Sequence, residues 1–293
     1  MIWIMQKLTE ETRQPGDPMI DATKNRMIVL NLIGKVITYV QDPEVVAEMY
    51  NKHNANLDKH PWLGDIFEPM FTDVFIVMPT NSEWKAQRKA VSHMFFKQRL
   101  QLMAEVFKGH LNKSCDKWLA EIAESKQGET RINIAVEFER IYAHTINHIC
   151  FGEDFNDDKF DFIIFEIDGG ANWSFKEEKV SMREAIHNMT FATMKSEGTL
   201  MMHPISGPLH LLFDTKVEMG AYFRNLRENS ARLKRQVNKY VQRRKSGVDQ
   251  SKMQGYDLLS VFLEDQQMFS DERIVSNLIG FIFAATETTQ YTT

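Results

Sequence analysis

The chain has 293 residues, 43% of them hydrophobic and 26% charged, enough for one large or two medium globular domains. A net charge of −5 leaves no basic footprint for nucleic acid, and two cysteines, Cys115 and Cys150, cannot build a disulfide framework. No apolar run approaches the ~20 residues of a membrane span, and Met1–Met5 is too short for a signal peptide or anchor.

Residues 6–25 are polar and hold Pro15-Gly16-Asp17-Pro18, an irregular entry segment. Two β-branched, apolar runs, 26–32 and 35–40, flank Ile33-Gly34 and predict a hairpin over 26–40. Asp42-Pro43-Glu44 starts a helix, with Asp42 as N-cap, Pro43 at its first position and Val45, Val46, Met49 and Tyr50 as its apolar side. Prolines 61, 69 and 79 make 53–81 irregular. A second helix opens at Asn81-Ser82 and places Trp84 and Arg88 four apart on one face. An indole N–H beside a guanidinium gives donors with no acceptor between them, a natural grip for a carboxylate; the bland alternative is a core Trp with a snorkelling Arg.

Helical periodicity continues over 96–123, with Leu100, Met103, Phe107, Leu111, Cys115 and Trp118 or Leu119 as the buried stripe. A further helix over 136–150 ends at Phe151-Gly152, with the glycine as terminator. It carries His144 and His148 at i, i+4 spacing, but the sequence places no third metal ligand beside them. The acidic run 153–158 predicts a solvated turn, and 199–213 is apolar yet broken by Pro204, Gly207 and Pro208. A long helix over 216–246 buries Tyr222 or Phe223, Leu226, Leu233, Val237 and Tyr240 or Val241. Its other faces carry Arg232, Lys234, Arg235, Lys239, Arg243, Arg244 and Lys245, expected to be solvated.

After a short helix over 257–263, Ser270 caps the last one, and Asp271 and Glu272 put carboxylates in its first turn, where the helix dipole favours them. Gly280, Ala284 and Thr288 fall at i, i+4 and i+8, a stripe without bulk against which a flat group or another backbone can lie. A Thr288 hydroxyl can bond the Ala284 carbonyl and open the helix locally.

Ala284-Ala285-Thr286-Glu287-Thr288-Thr289 resembles the oxygen-binding motif in the I helix of the cytochrome P-450 family, the haem-thiolate monooxygenases, with Ala285 where a glycine is usual. Trp84-x-x-x-Arg88 resembles the C-helix pair that holds a haem propionate in that family, and the two motifs stand in the family's order. The resemblance implies a mainly α fold with a small β region, a C helix at 82–96 and an I helix at 270–293. It assigns Trp84, Arg88, Gly280, Ala284 and Ala285 to haem, and Thr288 and Glu287 to proton delivery during oxygen activation. It further implies haem and O₂, electrons from NADPH through a cytochrome P-450 reductase or equivalent, and a small apolar substrate. Location at the cytosolic face of the endoplasmic reticulum is expected if an anchor lies upstream, otherwise in the cytoplasm, with peripheral membrane contact near 199–213. Neither Cys115 nor Cys150 has the flanking glycines and arginine of a haem-ligating cysteine, so the ligand is expected downstream of Thr293. The chain is accordingly expected to be a portion cut within or just after the I helix, and inactive alone. The alternatives are a non-catalytic remnant of the family or an unrelated helical interaction module.

Overall fold

The computed structural model describes residues 27–32, 35–40, 42–59, 74–167, 173–195, 218–247 and 256–292. They fall into two compact units, residues 1–58 and 59–293. In the first, β1 (Met27–Leu32) and β2 (Lys35–Val40) pair antiparallel, Met27 opposite Val40 and Leu32 opposite Lys35. Helix α1 (Pro43–Lys52) follows, and the Asp42 carboxylate accepts from the Glu44 amide at 2.8 Å, the expected cap. Tyr50, predicted on the apolar side of α1, is instead 64% exposed, while Val45, Val46 and Met49 are half-buried.

The second unit is built round α8 (Asp271–Thr292). It packs against α4 (Ile134–Phe151), α5 (Met182–Lys195), α6 (Glu218–Lys245) and α7 (Leu258–Glu264), and Ile274, Leu278 and Ile279 are wholly buried. Burial on all sides explains why its apolar residues show no single stripe. The Ser270 hydroxyl accepts from the Arg273 amide, and the Asp257 carboxylate caps α7 through the Ser260 amide. Helix α4 ends where Gly152 takes φ 74°, and its N–H returns to the His148 carbonyl.

Helix α3 (Lys97–Glu124) packs against α4 but is only half-buried along its expected stripe. Leu100 and Leu119 are 45% and 63% exposed, and Ser114 is its one fully buried side chain. Its register on α4 is set by the Phe107–Tyr142 stack and by Ser114, which accepts from Arg140. Further along, Glu137 accepts from the Trp118 indole. The Glu137-x-x-Arg140 pair does form an ion pair, 2.7 Å long, and its work is to tie these two helices.

A second antiparallel hairpin, not anticipated from the sequence, pairs β3 (Phe160–Ile167) with β4 (Trp173–Val180). The free edge of β3 is closed by two side-chain amides. Asn229 of α6 bonds both the N–H and the carbonyl of Ile163, and Asn188 of α5 does the same for Phe165. The turn before β3 is not simply solvated, since Phe155 and Asn156 are buried and Phe155 stacks on Tyr240 with centroids 4.0 Å apart.

One basic residue of α6 is placed differently from the expectation. Arg244 lies inside, paired with the fully buried Asp257 at 3.1 Å, and also donates to Ser260 Oγ and the Phe151 carbonyl. Helix phase is the reason: Val237, Val241 and Arg244 follow at i, i+4 and i+7 on the buried face. Arg232 and Lys245 are held by surface partners, Glu177 and Glu228 for the first and Asp271 for the second.

Candidate haem-binding site

Helix α2 (Ser82–Ser92) starts on Asn81, whose side chain accepts from the Trp84 amide at 2.8 Å, and a short 3-10 turn, His93–Phe95, extends it. The cap fixes the helix phase, and so sets Trp84 and Arg88 on one face. The Arg88 guanidinium lies 5.1 Å from the centroid of the half-buried Trp84 ring, and Lys59 Nζ lies 4.4 Å from it. Arg88 itself is exposed. Neither the indole N–H nor the guanidinium has an acceptor among the described residues, so this corner offers cationic donors to an outside carboxylate.

Two contacts bring α2 and α8 together. Glu83 and Arg273 form a 2.7 Å ion pair between their first turns. The segment 74–79 lies between the helices, since Gln87 of α2 donates to Met78 Sδ and Asn277 of α8 accepts from the Phe75 amide at 3.1 Å. The Asn277 amide also donates back to the Arg273 carbonyl, and Phe75 packs on Phe281 with centroids 5.4 Å apart. Sequence reading overlooked Asn277; the signal available was a lone amide inside an apolar helical run.

Along the small stripe, the close neighbour at Gly280 is Val74, which is wholly buried. A Cβ added at Gly280 would stand 2.8 Å from Val74 Cγ1. The absence of bulk at 280 therefore admits the 74–79 segment. Gly280→Ala is expected to cost about 1–3 kcal/mol in urea unfolding, because the stiff valine must move within a packed core. Val74→Ala in the same chain should return part of that loss, so that the two changes are less than additive. A fully additive pair would remove this contact as the reason for the glycine.

Ala284 and Ala285 are half-buried, and Thr288 is exposed at the end of the stripe. The Thr288 hydroxyl donates to the Ala284 carbonyl at 2.6 Å, the back-bond expected there, and the buried Thr286 makes the same contact with Ile282 at 2.8 Å. The backbone of Glu287 lies within α8, while its side chain falls outside the described set.

A profile of the cytochrome P-450 family matches residues 2–293. The chain belongs to the cytochrome P-450 family. Membership places it among haem-binding, iron-dependent monooxygenases, and the mainly helical architecture with its small antiparallel sheets agrees with that fold. A search of curated proteins gave no match.

Haem, which the family implies, fits this P-450 chain at its donor corner and not at an iron ligand. The Trp84 and Arg88 donors suit a propionate, and Ala284 and Ala285, both half-buried, add little side-chain bulk to α8. The cysteines do not fit. Cys150 is wholly buried, and burial with the nearby Asp257 charge pushes its thiol pKa well up, which disfavours a thiolate. Cys115 sits mid-helix on the half-buried stripe of α3. The expected membrane-facing segment 199–213 lies outside the described residues, and no helix among those described is long and apolar enough to cross a membrane.

Proposed function

We propose that this P-450 chain provides the distal half of a haem-thiolate site that inserts one atom of O₂ into a small apolar substrate, with electrons from NADPH through a reductase. The observation that carries the reading is the pairing of an acceptor-free Trp84/Arg88 corner with a helix whose Thr288 hydroxyl bonds its own Ala284 carbonyl. The thiolate is proposed to come from outside residues 1–293, so that these residues alone are inactive. The same proposal puts the protein at the cytosolic face of the endoplasmic reticulum if an anchor lies upstream, otherwise in the cytoplasm, with peripheral membrane contact near 199–213.

Haem, when bound, supplies the iron chemistry of oxygen activation. The chain supplies position and protons. Arg88 and Trp84 would hold a propionate and so position the group. Ala284 and Ala285 keep the helix surface low, with Gly280 given over to the 74–79 segment. Thr288 Oγ1 holds a proton at the exposed end of the stripe, and Glu287 replenishes it from solvent.

Titration of haem into the protein tests the grip. A charge-assisted guanidinium–carboxylate bond contributes about 1.5–3 kcal/mol, so Arg88→Ala should weaken haem retention by more than tenfold and by more than Trp84→Phe. Lys85→Ala and Lys89→Ala, off that face, should leave it unchanged. Loss of haem with Lys89→Ala and not with Arg88→Ala would place the propionate elsewhere.

A further inference from the structure

We propose that His110, His144 and Asp154 form a site for one divalent transition-metal ion of the zinc class, separate from the haem corner. His110 comes from α3, while His144 on α4 and Asp154 just after it lie ten residues apart. Their ligand atoms all lie within 4.8 Å of one another. The rings of His110 and His144 are stacked with centroids 5.6 Å apart, and His148, one turn further along α4, closes the rim 5.8 Å from His110. His144 Nδ1 lies 2.7 Å from Asp154 Oδ2, with side-chain exposures of 14% and 25%. The pocket is thus sheltered but reachable.

Two imidazoles and a carboxylate are a fitting donor set for zinc, with water as the fourth ligand. Zinc–ligand bonds of 2.0–2.2 Å put tetrahedral ligands about 3.3 Å apart, so closing from the observed spread needs rotamer adjustments of about 1 Å. Phe107–Tyr142 stacking and the Arg140–Ser114 bond hold α3 and α4 in the register that makes this small movement sufficient.

The protonation states agree with the geometry. Burial lowers His110 to about 4, and burial likewise lowers His148, so both rings are neutral and carry a lone pair at pH 7. Burial alone would raise Asp154, but the hydrogen bond and charge of His144 and the Asn156 amide hold it below the usual carboxylate range. An ionised Asp154 can only accept, so the proton in the 2.7 Å contact sits on His144 Nδ1. For the ion to bind there, that proton moves to Nε2, so that the ring stays a neutral ligand. Lys113 acts on both His110 and His148, and His144 and His148 on His110; the Asp154 carboxylate faces both rings, and Glu153 and Asp257 act on His148.

Calorimetric titration of the full chain with zinc chloride, followed by zinc-edge X-ray absorption, tests the assignment. The expected result is one equivalent, bound through two imidazoles and oxygen ligands without sulfur. His110→Ala and Asp154→Asn should each weaken binding by at least about tenfold, since even outer-shell losses at such sites cost 10–100-fold. Asp154→Asn keeps shape in a turn, so it stays informative should His110→Ala fold poorly. His53→Ala and His93→Ala, on exposed histidines elsewhere, should bind as the parent does. Absence of a stoichiometric site, sulfur in the zinc shell, or affinity indifferent to Asp154→Asn would each overturn the proposal.

Discussion

Arg244→Ala is expected to lower unfolding stability by about 3–5 kcal/mol, the usual cost of leaving half of a buried ion pair behind. The partner left is Asp257, wholly buried and within 3.1 Å of the guanidinium. Ser260 still donates to Asp257 through its amide and hydroxyl, each at 2.8 Å, but those bonds cannot replace the lost charge. The Phe151 carbonyl at the end of α4 also loses its donor. Since a domain has about 5–15 kcal/mol in all, the variant should unfold at a much lower urea concentration. Arg235→Ala, which breaks the surface pair with Glu228, should cost no more than about 1 kcal/mol. Equal midpoints for the two variants would mean that Arg244 is solvated after all.

The caps and stops were legible because each is a local piece of chemistry. Asp42, Asn81, Asp257 and Ser270 all cap from their own side chains, and Gly152 supplies a left-handed backbone. The burial of Arg244 was written in the helix phase, but its residue type masked it among Arg243 and Lys245. The β3–β4 hairpin was obscured because Phe160, Phe162 and Phe165 stand among acidic residues, and because the groups that close its edge, Asn188 and Asn229, are 23 and 66 residues away from their strand partners. Leu100 and Leu119 kept an apolar period without a partner on the outer side of α3. The His110 contribution to the imidazole cluster was beyond a local reading, since it joins His144 only through the packing of α3 on α4. At the candidate haem site, Trp84, Arg88 and Thr288 stood out by spacing, while Val74 and Asn277 emerged only from tertiary contact.

Thr288→Ala, made in the haem-loaded protein, is expected to separate electron consumption from product formation. The hydroxyl has one proton to give, and at rest it gives it to the Ala284 carbonyl at 2.6 Å. Were Thr288 the proton donor, rotation off that carbonyl would free its hydroxyl, and its exposed position would let solvent restore the proton. Loss of a placed proton donor typically slows a step by about 10²–10⁴-fold. NADPH oxidation should therefore continue while product falls and hydrogen peroxide accumulates, with binding of haem, substrate and carbon monoxide retained. Thr288→Ser keeps the hydroxyl and should restore coupling. Thr289→Ala, about 100° round the helix, should leave coupling intact. The alternative role for Thr288 is structural: a back-bond to its own helix, as Thr286 makes to Ile282. The product-to-peroxide ratio at equal NADPH consumption decides between them. A ratio that collapses in Thr288→Ala and recovers in Thr288→Ser is the predicted result; equal ratios for the parent and Thr288→Ala would contradict a role for this helix in oxygen activation.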